Sequence, residues 1–122
     1  MAAPNLVNVT SIYGKTMGAA LGGVTTTDIL ECPSNKLLKI NSVIVSNKHA
    51  SDAVDLTCYF LDNSASTRYE LANTVTIPSK STLVVIGKDS PIYLEESDQI
   101  EAGASATSSL VMVISYEELD DA

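Results

Sequence analysis

A chain of 122 residues and 12.9 kDa is the length of one domain, long enough to bury about two-thirds of its unfolded surface without a metal or disulfide staple. Hydrophobic residues at 45% and charged residues at 18% exclude a disordered chain. Seven Lys and Arg against fifteen Asp and Glu leave a net charge of −8, the opposite of the clustered basic footprint that nucleic acid or an anionic membrane requires. That charge is unevenly placed: residues 1–61 are neutral and residues 62–122 carry all of it. Val, Ile and Thr together make a quarter of the chain, and such β-branched side chains favour strands over helices.

Leu6–Tyr13 is strand-like, with Val7, Val9 and Tyr13 on one face. Met17–Gly23 is small and glycine-rich, a weak strand or extended arm that must lie against something else to be held. Thr25–Glu31 reads as a short strand closed by Cys32-Pro33. Leu37–Ser46 is the clearest strand of the first half; strict alternation puts Leu38, Ile40 and Ile44 on one face, and Lys39, Asn41, Val43 and Val45 on the other. Ala53–Leu61 and residues 67–77 flank the turn cluster 62–66 as a hairpin. Thr82–Ile86, Ile92–Leu94 and Gln99–Ala104 each follow a polar turn. Leu110–Tyr116 is apolar on both faces, which predicts a central or doubly covered strand. The acidic tail 117–122 is expected to fray or to lie on a partner. Turn signals every 8–12 residues and the lack of any long helical stripe predict an all-β fold, an antiparallel β-sandwich or jelly roll of eight to ten short strands. The whole chain 1–122 is expected to be one such domain, with 1–24 as a possible extended contact arm.

Chemistry is thinly supplied. His49 is the only histidine and sits in a polar loop without a nucleophile setting. One His and two Cys, with no CxxC, do not make a zinc site. Gly14-Lys15-Thr16 has the ending of a phosphate loop, but Val9 stands where its first glycine belongs. The carboxylates Glu95, Glu96, Asp98 and Glu101 lack an EF-hand pattern and read as a solvated corner between strands. No catalytic residue, metal or cofactor is expected. Cys32 and Cys58 are expected to be free thiols, Cys58 in the core with Val54, Leu56 and Phe60, since no export signal or spanning segment is visible and an intracellular setting is the simplest reading.

Two segments carry a resemblance. Leu6-Val7-Asn8-Val9-Thr10-Ser11-Ile12-Tyr13-Gly14-Lys15-Thr16 and the run from Ser90-Pro91-Ile92-Tyr93-Leu94 through Glu95-Glu96-Ser97-Asp98 to Ala104-Ser105 resemble small virion structural proteins of tailed bacteriophages, notably of marine and cyanobacterial hosts, and Ile114-Ser115-Tyr116-Glu117-Glu118 fits the same pattern. Such proteins often have Glu-Gly-Asp at the corner where this chain has Glu96-Ser97-Asp98, so the conformation of Ser97 tests the turn type. The resemblance implies a non-enzymatic particle component. One form is a head decoration or cement protein bound to the major capsid protein and to copies of itself, assembled into the virion in the host cytoplasm. A tail, neck or baseplate component is the alternative. Contacts are expected along the N-terminal segment, at Leu6, Val7, Val9, Ile12, Tyr13, Met17 and Leu21. A carbohydrate- or host-surface-binding module remains open, and exposed Tyr13, Tyr69 and Tyr93 would be its signature.

Overall fold

The computed structural model describes residues 11–23 and 27–120. These form nine strands and no helix: β1 (Ser11–Ala20), β2 (Thr27–Glu31), β3 (Lys36–Asn47), β4 (Val54–Asp62), β5 (Thr67–Ile77), β6 (Thr82–Ile86), β7 (Ile92–Leu94), β8 (Gln99–Ala104) and β9 (Leu110–Asp120). The expected all-β class and strand number hold.

Every pairing is antiparallel. The first sheet runs β1-β9-β3-β6, with β7 also on β3; the second runs β2-β8-β4-β5. The pairs nest: β1 with β9, β2 with β8, β3 with β6 and β7, β4 with β5. The chain is therefore one long hairpin, bent at the β4–β5 turn and rolled up so that its strands alternate between two sheets. That winding is a jelly roll.

The core lies between the sheets. Ile40, Val43, Val45, Met112 and Ile114 of the first face Leu56, Cys58, Ile100 and Ala102 of the second, all buried, with Leu21, Cys32, Ile77 and Leu94 closing the ends. Cys58 sits in the core as expected. Burial holds the Cys58 thiol protonated, its ionisation pushed up to about 12, and burial first, then the charges of Asp98, Glu118 and Glu96, push that of Cys32 up to about 11. The Cys32 thiol donates to the Lys36 carbonyl at 3.2 Å.

Two expectations need correction, and a third is met. Strict alternation fails in β3: the pairing with β9 shifts between Ile40 and Ser42, so Asn41 is an extra residue, a β-bulge. Beyond it the faces exchange, Val43 and Val45 join Leu38 and Ile40 inside, and Ile44 turns outward. The acidic tail is not frayed through Asp120, because β9 continues between β1 and β3. Glu118 lies 3.2 Å from Lys15 and 3.5 Å from Lys36, Lys36 reaches Asp120 at 2.7 Å, and Leu119 is buried. Finally, the glycine-rich segment finds its support in β9. Ser11–Ala20 pairs with it along its whole length, and Leu21 and Gly23 are tied by backbone bonds to residues 104–110.

Candidate interaction surface

The register of the first sheet fixes which side chains share its outer face. Gly18, Val113, Ile44 and Val84 form one row across four strands. Ala20, Val111, Ser46 and Thr82 form the next, and Thr16, Ser115 and Ser42 a third. None of these side chains is charged. Hydroxyls pair along the rows, Ser46 with Thr82 at 3.0 Å and Thr16 with Ser115 at 3.3 Å, which satisfies them without water. Val84 is 58% exposed in this setting. Toward the far end the face turns mixed, with Lys39, Glu117 and Tyr93 in register.

The second sheet presents the opposite character. Its outer positions include Asp28, Glu31, Glu101, Asp55 and Glu70, with Arg68 among them. Arg68 pairs with the buried Glu101 carboxylate, which raises the guanidinium further above its usual range. Asp28 is held above the usual carboxylate range by partial burial, then by Glu31 and Glu101 beside it. A shallow depression of roughly 230 Å³, lined by Asp55, Thr57, Thr74, Gly103, Ala104 and Ser105, lies on this face. Its polar atoms are largely engaged with one another: Thr76 donates to Asp55 at 2.7 Å, the Asp55 N–H to Ser105 at 2.9 Å, and the Thr74 N–H to Thr57 at 3.3 Å.

The residues singled out from the sequence fall as follows. Leu6, Val7 and Val9 lie outside the described residues. Ile12 and Tyr13, 60% and 53% exposed, sit on β1, the edge strand of the first sheet. Met17 is half-buried against the core, and Leu21 belongs to the core, so its side chain serves internal packing. Tyr13, Tyr69 and Tyr93 are all exposed, yet they share no platform. Tyr13 is on the β1 edge, Tyr93 on the outer face of the first sheet, and Tyr69 on β5 stacks on Phe60 at 6.3 Å. The His49 ring organises its own loop: Nδ1 accepts the N–H groups of Ser51 and Asp52 at 3.1 and 3.0 Å, leaving the ring proton on Nε2.

The carboxylate corner is not solvated throughout. Asp98 is buried and accepts the N–H groups of Asn63 at 2.9 Å and Glu95 at 3.0 Å, clasping the β4–β5 turn to the start of β8. Glu96 accepts the Asn35 N–H at 2.7 Å. These carboxylates point to separate donors, and among the described residues no group of His, Cys, Asp or Glu converges as a metal site. Sequence reasoning missed the neutral outer face altogether, because its rows join strands far apart in the chain and only the register assembles them.

No protein-family profile matches the sequence, and no curated protein sequence does. The fold does have a counterpart. A chain in the acid-stable capsid structure of Helicobacter pylori bacteriophage KHP30 aligns with a TM-score of 0.53 at 8% identity, over 93% of this chain and 91% of that one. A chain of the infectious bursal disease virus Gt strain aligns more loosely, with a TM-score of 0.39 at 11% identity, over 91% of this chain and 32% of that one. The phage likeness shows a shared fold across nearly the whole of both chains; the second is too loose to argue from.

Proposed function

We propose that the chain is a non-enzymatic structural component of a phage virion: a single sandwich module, residues 1–122, that decorates the capsid, binds the major capsid protein and stabilises the shell. The observation that carries this reading is the two-faced character of the roll. One outer face is uncharged across its middle rows and lined there with Val, Ile and small hydroxyl residues, while the other is acidic. A neutral face loses little on desolvation when it docks, whereas burying unpaired carboxylates is costly. The acidic face then points to solvent and keeps particles apart by like charge. The shared fold with a chain of a phage capsid and the resemblance to tailed-phage virion proteins support the same reading. The N-terminal segment 1–24 would add contacts from the β1 edge through Ile12 and Tyr13, with Leu6, Val7 and Val9 preceding them. A tail, neck or baseplate position would use the same surfaces and differs in copy number. The separated tyrosines disfavour a carbohydrate platform.

Adding the purified chain to capsids that lack it, and measuring how much sediments with them, tests the docking face. The native chain is expected to bind and to raise the temperature at which the particles release DNA. Val84→Lys is expected to weaken binding by about tenfold or more, since it sets a charge in a neutral contact, while Tyr69→Ala leaves it unchanged. A chain that does not bind, or a Val84→Lys variant that binds like the native one, would contradict the proposal.

A further inference from the structure

The sandwich has four sheet edges, and they are unequally protected. β2 is five residues long, carries Asp28 and Glu31, has a register shift between Asp28 and Leu30, and is followed by Pro33. β5 has two register shifts against β4, a left-handed Thr74 and the charged pair Arg68 and Glu70. The fourth edge is split into the short β6 and β7 by a turn containing Pro91, and β6 has its own register shift. These are the devices that stop a sheet edge from pairing with another chain. β1 has none of them. It is ten residues of regular strand without proline or register shift, paired on one side only among the described residues. Its single charge, Lys15, is turned back to Glu118 at 3.2 Å.

We infer that β1 is a pairing edge whose occupant is β1 of a second copy of this chain, antiparallel about a two-fold axis, so that two first sheets join into one. Edge protection selects this occupant: an open edge needs an open edge, and among the described residues β1 is the strand that offers one, with a lysine and uncharged residues where the β2 edge presents carboxylates. Since the other three edges are protected, the edge that a second copy has to offer is the same one, and the contact is isologous. The side chains allow it: Gly14, Thr16, Gly18 and Ala20 leave the outer side of β1 almost bare, and a Cβ built on Gly14 meets nothing within 4 Å. An axis at Thr16 sets Gly14 opposite the second copy's Gly18 and Lys15 opposite the second copy's Met17, which keeps the two ammonium groups from facing each other. It also sets the uncharged row through Thr16, Ser115 and Ser42 against the same row of the second copy. One strand pair about 34 Å long is a narrow contact beside a stable free-standing interface, which buries roughly 1,200 Å² or more. The pair is therefore weak in solution and strengthened where a surface holds copies together.

Sedimentation of the intact chain between about 10 µM and 1 mM tests this, since a weak dimer populates in that range. The mass is expected to rise from 12.9 kDa toward twice that value. The double variant Gly14→Lys/Gly18→Lys, which sets lysine opposite lysine at both ends of the joint, is expected to weaken association about tenfold or more while the melting temperature confirms an intact fold. Thr16→Cys is expected to form an intermolecular disulfide on mild oxidation, as Cys32 and Cys58 are buried and do not compete. A native chain that stays monomeric at about 1 mM would overturn the inference. So would a dimer that the double lysine variant leaves intact, or a Thr16→Cys chain that fails to cross-link at concentrations where the native dimer is populated. None of these outcomes depends on the capsid-binding proposal, which is read on particles.

Discussion

Ser97 occupies a left-handed backbone position, at φ 69°, within the Glu95–Asp98 corner. Its N–H donates to the Cys32 carbonyl and the Asp98 N–H to the Glu95 carbonyl, both near 3 Å, so the corner is held by backbone bonds that do not need a serine side chain. A Cβ in that conformation costs on the order of 1 kcal/mol. A glycine would meet no such cost at this corner, and the serine here is strained. Ser97→Gly is expected to stabilise the chain by about 1 kcal/mol, which at this size raises the melting midpoint by roughly 3–6 °C; thermal unfolding of the two chains checks it. The question of turn type was legible in the sequence, its answer only in the backbone. The Asp98 clasp was not legible, because the N–H of Asn63 that it accepts lies 35 residues away.

At the scale of elements, pattern reading succeeded where turn signals bound the strand and failed where pairing is remote. β4 to β8 carry their own turn signals and fall close to where the sequence sets them. In β3, Ile40 and Ile44 share one parity and Val43 and Val45 the other, so composition alone does not betray the extra residue at Asn41. β1 and the end of β9 were underrated for one shared reason. A glycine-rich strand and an acidic tail each look unsupported locally, and each supports the other across the length of the chain. Lys15 and Lys36 flank Glu118, and Leu119 pairs in register with Leu37 and Ile12. Removing residues 117–122 should therefore cost at least about 2 kcal/mol, the burial of Leu119 alone being worth roughly 1.5–3 kcal/mol. A tail lying free would change stability by less than about 0.5 kcal/mol. Urea unfolding at neutral pH distinguishes the two.

For the whole molecule, composition was enough to reach a small all-β sandwich. The winding was not readable, since a jelly roll is defined by which strands pair, and its outermost pair joins the two ends of the chain. The same long-range register builds the neutral face, collecting Gly18, Ile44, Val84 and Val113 from four strands. The net charge of −8 is then no uniform coat: the second sheet bears acidic groups, and the middle of the first bears none. Such asymmetry suits a module that lies on a shell with one face down. Quantitative mass spectrometry of purified particles, scaling copies of this chain to the major capsid protein, tests that claim most directly. The account predicts copies in proportion to the capsid protein, on the order of hundreds per particle for a symmetric shell. A dozen or so copies would place the chain at the neck or tail, and its absence from particles would contradict a virion role altogether.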